Sequence, residues 1–343
     1  MSYKRKKYLW LPYLSSIDIK PKNVKFVYKG GAVEIDWIDI HSIMIYGDSC
    51  DLPAEFIDKC SFYKIPIVFH RRNLSRATFI IPSLTAQNED IITNQIKFRE
   101  NIKKRNYIAK KLILAKFKSM EWLIPSAENS LFKISDLKKI RSVESWHARR
   151  YWKEYFSQLG VNQNRRENNE IQKTLNAVSK FISGIILRWV LYHNLSPYHG
   201  FLHEPTNYPS LVYDLMEPYR GYFDKIVFDI YKKNIDSSNN QEKNQTLLLP
   251  KSIEQIKDFL DKKIYVHSTR QIATFQEILH GIVLALRVYL NKETKRFIVP
   301  FPEKPNGGRP INAGFKLYGH TAGVTDFWTQ AKKISLDFLT IQD

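Results

Sequence analysis

A change of period near residue 89 constrains this chain more than any other feature. Before it, "NVKFVYKGGAVEIDW" alternates apolar residues at Val24, Phe26 and Tyr28, turns at Gly30–Gly31, and alternates again at Val33, Ile35 and Trp37. Alternation on both sides of a glycine pair predicts a half-buried β-hairpin. "HSIMIYG" and "KIPIVFH" read as short apolar strands ending at Gly47 and His70, and "RATFIIPS" supplies another. Between the first two, "LPAEFIDKCSFY" predicts a short helix with Pro53 near its first turn. After the change, residues 89–123 contain no Pro or Gly and keep apolar residues at helical spacing, which predicts one long helix linking two halves. The rest is mostly helical to about residue 295, interrupted by a polar insertion at 234–245, and the tail "PEKPNGGRPINAG" is irregular. The expected class is therefore α+β: a small β-sandwich-like N-terminal domain, residues 1–86, followed by a larger, mostly α-helical domain, residues 87–343.

A chain of 343 residues fits two domains at about 150 residues each. Lys and Arg outnumber Asp and Glu by 53 to 34, a net charge of +19. That excess favours a polyanionic partner, nucleic acid ahead of an anionic membrane. Cys50 and Cys60 are the only cysteines, so no disulfide framework or thiolate zinc set is available and a reducing compartment is expected. The apolar runs "FISGIILRWVLY" and "ILHGIVLALRVYL" are cut by Arg188, His280 and Arg287 and read as core helices too short to span a bilayer. A soluble, cytoplasmic protein without a membrane partner is expected.

Three clusters carry chemistry. Lys97, Lys104, Lys111 and Lys118 recur every seven residues, with Lys103 and Lys110 beside them. Such a stripe can track a phosphate backbone or be a solvated helix face. In "VESWHARRYW", Glu144 opens a helical segment followed by His147, Arg149, Arg150, Tyr151 and Trp152. Adjacent arginines and aromatics can hold a phosphate and stack on a base. Read alone, the segment is better explained as an amphipathic helix start with Trp146 and Trp152 in the core and Glu144 near the N-terminal end of the dipole. In "GFLHEPTNYPSLVYDLMEP", His203 precedes Asp214 and Glu217, which lie three apart inside an apolar run where charge is costly to bury. If "SLVYDLM" is helical, both acids share a face, with a kink or break expected at Glu217 ahead of Pro218. One imidazole with two or three carboxylates suits Mn²⁺ or Mg²⁺ better than structural zinc. A satisfied loop histidine beside two surface acids is the plainer alternative.

In this order, "ESWHARRYW", "NRRENNEIQKTLNAVSKF" and "GFLHEPTNYPSLVYDLMEPYR" resemble the CRISPR-associated protein one family, the spacer-acquisition integrases of CRISPR adaptation. Family members look like "E-G-x-A-A-R-x-Y-F", an Asn-bearing helix, then "G-F-L-H" and "S-L-V-Y-D-L-M-E-P-F-R". The N-terminal segment from Gly30 to His70 resembles the family's β domain, and the likeness covers most of residues 20–230. Ser145 and His147 depart from the usual Gly and Ala. His147 could add a ligand or base contact, and packing is the reading taken here.

The resemblance implies metal ligands at Glu144, His203 and Glu217, with Asp214 as the neighbouring catalytic acid and Asn176 in support. It implies Mg²⁺ or Mn²⁺ as cofactor. The implied enzyme is a DNA integrase and endonuclease that inserts foreign DNA fragments into the CRISPR array by 3′-hydroxyl attack on a repeat phosphodiester. Arg149, Arg150, Arg220, Lys104 and Lys111 are the candidate DNA contacts. The implied partners are a prespacer duplex, the CRISPR repeat and leader, a second copy of the chain joined through the β domains, and a dimer of CRISPR-associated protein two in a heterohexamer-type complex. Two rival readings are a DNA-binding scaffold without catalysis and a transposon-borne integrase.

Overall fold

The computed structural model describes residues 6–47, 50–72, 74, 76–82, 91–161, 169–236, 247–302 and 314–317. The first part holds two sheets. One is four-stranded and mixed, in the order β1 (Lys7–Pro12), β5 (Ile40–Tyr46), β6 (Ile67–His70), β7 (Ala77–Ile80); β1, β5 and β6 run parallel and β7 antiparallel. The other is an antiparallel meander of β2 (Leu14–Ile19), β3 (Asn23–Tyr28) and β4 (Gly31–Asp36). The expected hairpin is β3–β4, with Val24 opposite Ile35 and Phe26 opposite Val33. Gly30 and Gly31 close it at φ values of 113° and 148°, where a side chain would be strained. The chain passes from the first sheet to the second at Tyr13, whose φ is 50°.

The two sheets enclose a core of Leu9, Leu11, Val24, Phe26, Trp37, Ile43, Ile45 and Ile67, closed by Phe56 of α1 (Ala54–Phe62), the crossover between parallel strands β5 and β6. The expected helix after Pro53 is this element. The neighbours of Ile43 and Ile45 along β5, Met44 and Tyr46, belong with Val68 to the larger core of the helical part. Both faces of β5 are thus buried, which explains why "HSIMIYG" is continuously apolar instead of alternating.

The helical part comprises α2 (Ile91–Glu100), α3 (Ile102–Ser119), α4 (Glu128–Leu131), α5 (Leu137–Gln158), α6 (Glu170–Tyr192), α7 (Ser210–Met216), a 3₁₀ turn (Glu217–Tyr219), α8 (Arg220–Asp236), α9 (Leu248–Asp261) and α10 (Phe275–Leu290). α6 sits at its centre, against β5, β6, α7, α8, α9 and α10. It is long and apolar enough by composition to cross a membrane, contrary to the expectation from its run of apolar residues, but 78% of that window is buried within the protein.

Two further expectations need correction. The single long linking helix is two helices. Asn101, with a β-region backbone, breaks the run, and its side chain caps α3 by accepting from the Lys104 N–H. The polar insertion begins later than expected: 234–236 still belong to α8, and 237–246 lie outside the described residues. The region up to residue 295 also contains a hairpin, β8 (Lys263–Val266) with β9 (Gln271–Thr274). The expected domain boundary at 86/87 and most of the C-terminal tail lie outside the described residues.

Candidate active site

Helix α3 turns a buried stripe of Ala109, Leu112, Ile113 and Phe117 toward α5, and Lys116 lies on that stripe. Its side chain is 5% exposed. The Lys116 ammonium lies 2.5 Å from Glu144 Oε1 and 2.7 Å from Glu217 Oε2. Burial opposes the charge on Lys116, but Glu217 and Glu144 outweigh it and hold the ammonium above its ordinary range.

Glu144 lies two turns into α5, which begins at Leu137 behind an Asp136 cap; the helix therefore starts earlier than expected. Glu217 opens the 3₁₀ turn between α7 and α8; α7 ends ahead of Pro218, but Glu217 keeps a helical backbone (φ −51°, ψ −41°), so the helix tightens there instead of breaking. Its other oxygen, Oε1, lies 3.3 Å from Arg220 Nη1. Burial would raise the Glu217 carboxyl, but Arg220, Lys116 and His203 together hold it down to about 2.

A second pair lies beside the first. Asp214, fully buried on α7, accepts from the backbone N–H groups of Phe201 (2.5 Å), Leu202 (2.8 Å) and His203 (3.1 Å), and lies 2.6 Å from His203 Nδ1. A carboxylate can only accept, so the imidazole proton sits on Nδ1 and Nε2 is the nitrogen left to bind. Burial disfavours the imidazolium, yet the Asp214 bond and charge raise its pKa on balance. The loop carrying His203 is tied down by Gln95, which donates to the Ser196 and His199 carbonyls and accepts from the Ser196 N–H, and by Arg99, which donates to Gly200 O. Gly200 admits the carboxylate: a Cβ there would meet Asp214 Oδ2 at 2.7 Å.

The structure thus brings together Glu144, Glu217 and Arg220, with His203 held by Asp214 alongside. Within the apolar run, Glu217 is balanced by the protein's own Lys116 and Arg220, and Asp214 is satisfied by three backbone N–H groups and His203. Among the described residues no three His, Cys, Asp or Glu side chains converge closely enough to hold a metal ion as they stand. Lys116 stands between Glu144 and Glu217, and both Asp214 oxygens face the loop. The donor types nonetheless fit a hard divalent cation: two carboxylates already share one cation, and an imidazole is oriented by a carboxylate behind it.

The remaining expected residues spread out. Arg149 and Arg150 are exposed on α5. Trp146, expected in the core, is 45% exposed beneath Arg150, whose guanidinium lies 4.7 Å from its ring centre. Lys104 and Lys111 lie over Phe98 and Tyr107, at 3.9 Å and 5.9 Å. Lys110 donates to the carbonyls of Phe132 and Ile134, and Lys97 sits on the other side of the Asn101 break, so the stripe is not one continuous basic face. Asn176 is half-buried on α6. His147 is fully buried, 4.1 Å from the Phe117 ring and tilted 32° to it; burial pushes its pKa down. This is packing. His147→Phe is expected to change stability by less than about 1.5 kcal/mol in urea unfolding and to leave DNA joining intact.

A β-layered part joined to a helical part that gathers two acids, two cations and an aspartate-held histidine defines an α+β protein with an ionic centre suited to phosphate chemistry. The model of the family described as CRISPR associated protein Cas1 matches residues 13–262, and the chain belongs to that family. None of the curated proteins compared matches it in sequence. Among solved structures, a casposase bound to integration product is similar at 19% identity and a TM-score of 0.71, over 96% of this chain and 99% of that one. A CAS1 protein from Thermotoga maritima is similar at 16% identity and a TM-score of 0.69, over 83% and 97%. A Cas6-RT-Cas1–Cas2 complex contains a chain similar at 13% identity and a TM-score of 0.67, over 87% of this chain and 36% of that one.

Proposed function

We propose that the chain is a divalent-metal-dependent DNA integrase and endonuclease of CRISPR adaptation, joining captured DNA fragments to a CRISPR array. The observation that supports this best is the pair Glu144 and Glu217 sharing one cation beside His203, in a chain of this family. Glu144, Glu217 and His203 Nε2 would hold Mg²⁺ or Mn²⁺, which when bound would polarise a phosphate oxygen and ease deprotonation of the attacking hydroxyl. In the reaction, a 3′-oxygen of the fragment forms a bond to a repeat phosphorus as the bond to the departing 3′-oxygen breaks; the proton leaves one oxygen and is taken up by the other. Asp214 keeps the imidazole oriented and its proton on Nδ1. Arg220 orients Glu217 through its ion pair. Arg149, Arg150, Lys104 and Lys111 would hold the DNA backbone, with Asn176 in support.

We further propose residues 1–86 as the dimerising β domain and residues 87–343 as the catalytic domain, with a dimer of the family's small partner bridging two such dimers. The Cas6-RT-Cas1–Cas2 complex among the similar structures supports a partner of the Cas2 kind. The casposase likeness, which spans 96% of this chain, favours a second reading as an integrase of mobile elements.

A joining assay separates these. The protein, with and without the small partner, receives a short duplex with free 3′-hydroxyls and a supercoiled plasmid with or without a repeat, in Mn²⁺, Mg²⁺ or EDTA. Metal-dependent covalent attachment at the repeat edge, lost in Glu144→Ala, is expected. Attachment indifferent to the repeat would favour the mobile-element reading, and DNA binding without joining under every condition would overturn both.

A further inference from the structure

We propose that Lys116 is a resident cation which holds the place of the divalent metal between Glu144 and Glu217 and must swing out for the metal to enter. The inference rests on the metal-dependent reading above and concerns how that site is gated.

Its first support is position. The Lys116 ammonium touches one oxygen from each of two acids that come from different elements, α5 and the 3₁₀ turn. Its second is charge. Lys116 and Arg220 already balance Glu144 and Glu217 one for one, and Lys116 and Glu217 are each 5% exposed. Adding a doubly charged ion while both cations stayed would leave two uncompensated positive charges at a site largely removed from water. Departure of one cation halves that excess. Arg220 lies on the same turn as Glu217 and is 29% exposed, so it can keep its contact at the edge. Lys116 reaches the acids at the end of a flexible four-carbon stem.

The third support is that the backbone cannot make room. Ser119 of α3 and Gly221 of α8 are in direct contact: the Gly221 N–H donates to Ser119 Oγ at 3.2 Å, and a Cβ on Gly221 would meet the Ser119 carbonyl oxygen at 2.1 Å. With α3 held against the turn bearing Glu217, the side chain moves and the helix does not. Lys116 is accordingly a positioning residue. In the metal-free protein it keeps two acids from repelling each other, and it competes with the metal for them.

Metal binding to the full-length chain without DNA tests this by two readouts. Free Mn²⁺ is measured by electron paramagnetic resonance during titration of the wild type and Lys116→Met, and acetylation of Lys116 in the wild type is followed by peptide mass spectrometry in EDTA and in saturating Mn²⁺. Lys116→Met is expected to bind Mn²⁺ about tenfold more tightly, because no ammonium has to be displaced. Mn²⁺ is expected to raise the acetylation rate of Lys116 and not that of Lys110, whose ammonium is held by two carbonyls. If Lys116→Met does not fold, the labelling decides alone. Mn²⁺ binding by the wild type with unchanged Lys116 labelling overturns the proposal while sparing the metal site. No Mn²⁺ binding to either protein removes the metal site and the proposal with it.

Discussion

Glu217→Gln is expected to cut the proposed DNA joining sharply and to weaken the metal-free protein. If Glu217 holds the metal as proposed, the variant is expected to lose at least about a hundredfold in the joining rate, since even changes behind a metal's direct ligands cost that order. The second effect is on folding. Removing this carboxylate leaves Lys116 and Arg220 with one fewer buried partner, and breaking a buried pair costs about 3 kcal/mol. The effect depends on pH in a defined direction. The Glu217 carboxyl is held at about 2, below its ordinary 4.5, so its stabilising effect is present above 4.5 and is lost as pH falls through about 2. Urea unfolding in EDTA at a series of pH values should show the wild type above the variant at neutral pH and the two curves converging on acidification. Parallel curves would mean that Glu217 is not the charged partner of these cations.

Gly221→Ala is the second large effect expected, and it needs no change of charge. The added methyl would sit 2.1 Å from the Ser119 carbonyl oxygen and 2.5 Å from its carbon, both backbone atoms of α3. No rotamer relieves that contact, so α3 and α8 must separate. A loss of about 3 kcal/mol is expected in denaturant unfolding. The Trp122 indole, which donates to the Gly221 carbonyl at 3.0 Å, should report the separation in its fluorescence. Because α3 carries Lys116 and the adjoining turn carries Glu217, the same separation pulls the ion pair apart. An alanine variant with native stability and an unchanged Trp122 signal would show that the two helices are less tightly joined than their contact indicates.

The parts of this architecture legible in sequence are those whose cause is local. The β3–β4 hairpin follows from alternation around two glycines, and α1 from the helical run after Pro53. The parallel pairing of β1, β5 and β6 is not local. "KYLWLP" and "LSSIDI" carry a proline and adjacent serines that obscure any alternation; β1 meets its partner β5 only through tertiary contact, whereas β2 pairs with its neighbour β3. Asn101 was available as a stop signal inside the long helical run, but a cap residue mid-run is also compatible with continuous helix.

The spacing of Asp214 and Glu217 with His203 marks the segment in which these charged groups are gathered. Lys116 is masked in the sequence by the seven-residue lysine repeat of 97, 104, 111 and 118. Yet Lys116 falls at helical spacing from Ala109, Leu112 and Ile113, all buried, and a lysine on an apolar stripe implies a buried anion facing it. Trp146 misled in the opposite sense. A large aromatic beside two arginines was assigned to the core, whereas it lies outside under Arg150.

Strand β5 has a consequence for how this protein can vary. Met44 and Tyr46 look into one core, and Ile43 and Ile45 into the other. An ordinary half-exposed strand has a tolerant side, where a lineage can substitute freely and where a partner strand or loop can be regrafted. β5 has none. A change on either side is transmitted into one of the two interiors, so exchange of the N-terminal β layers between relatives would have to carry matching changes in α6, which lies against the far side of the same strand.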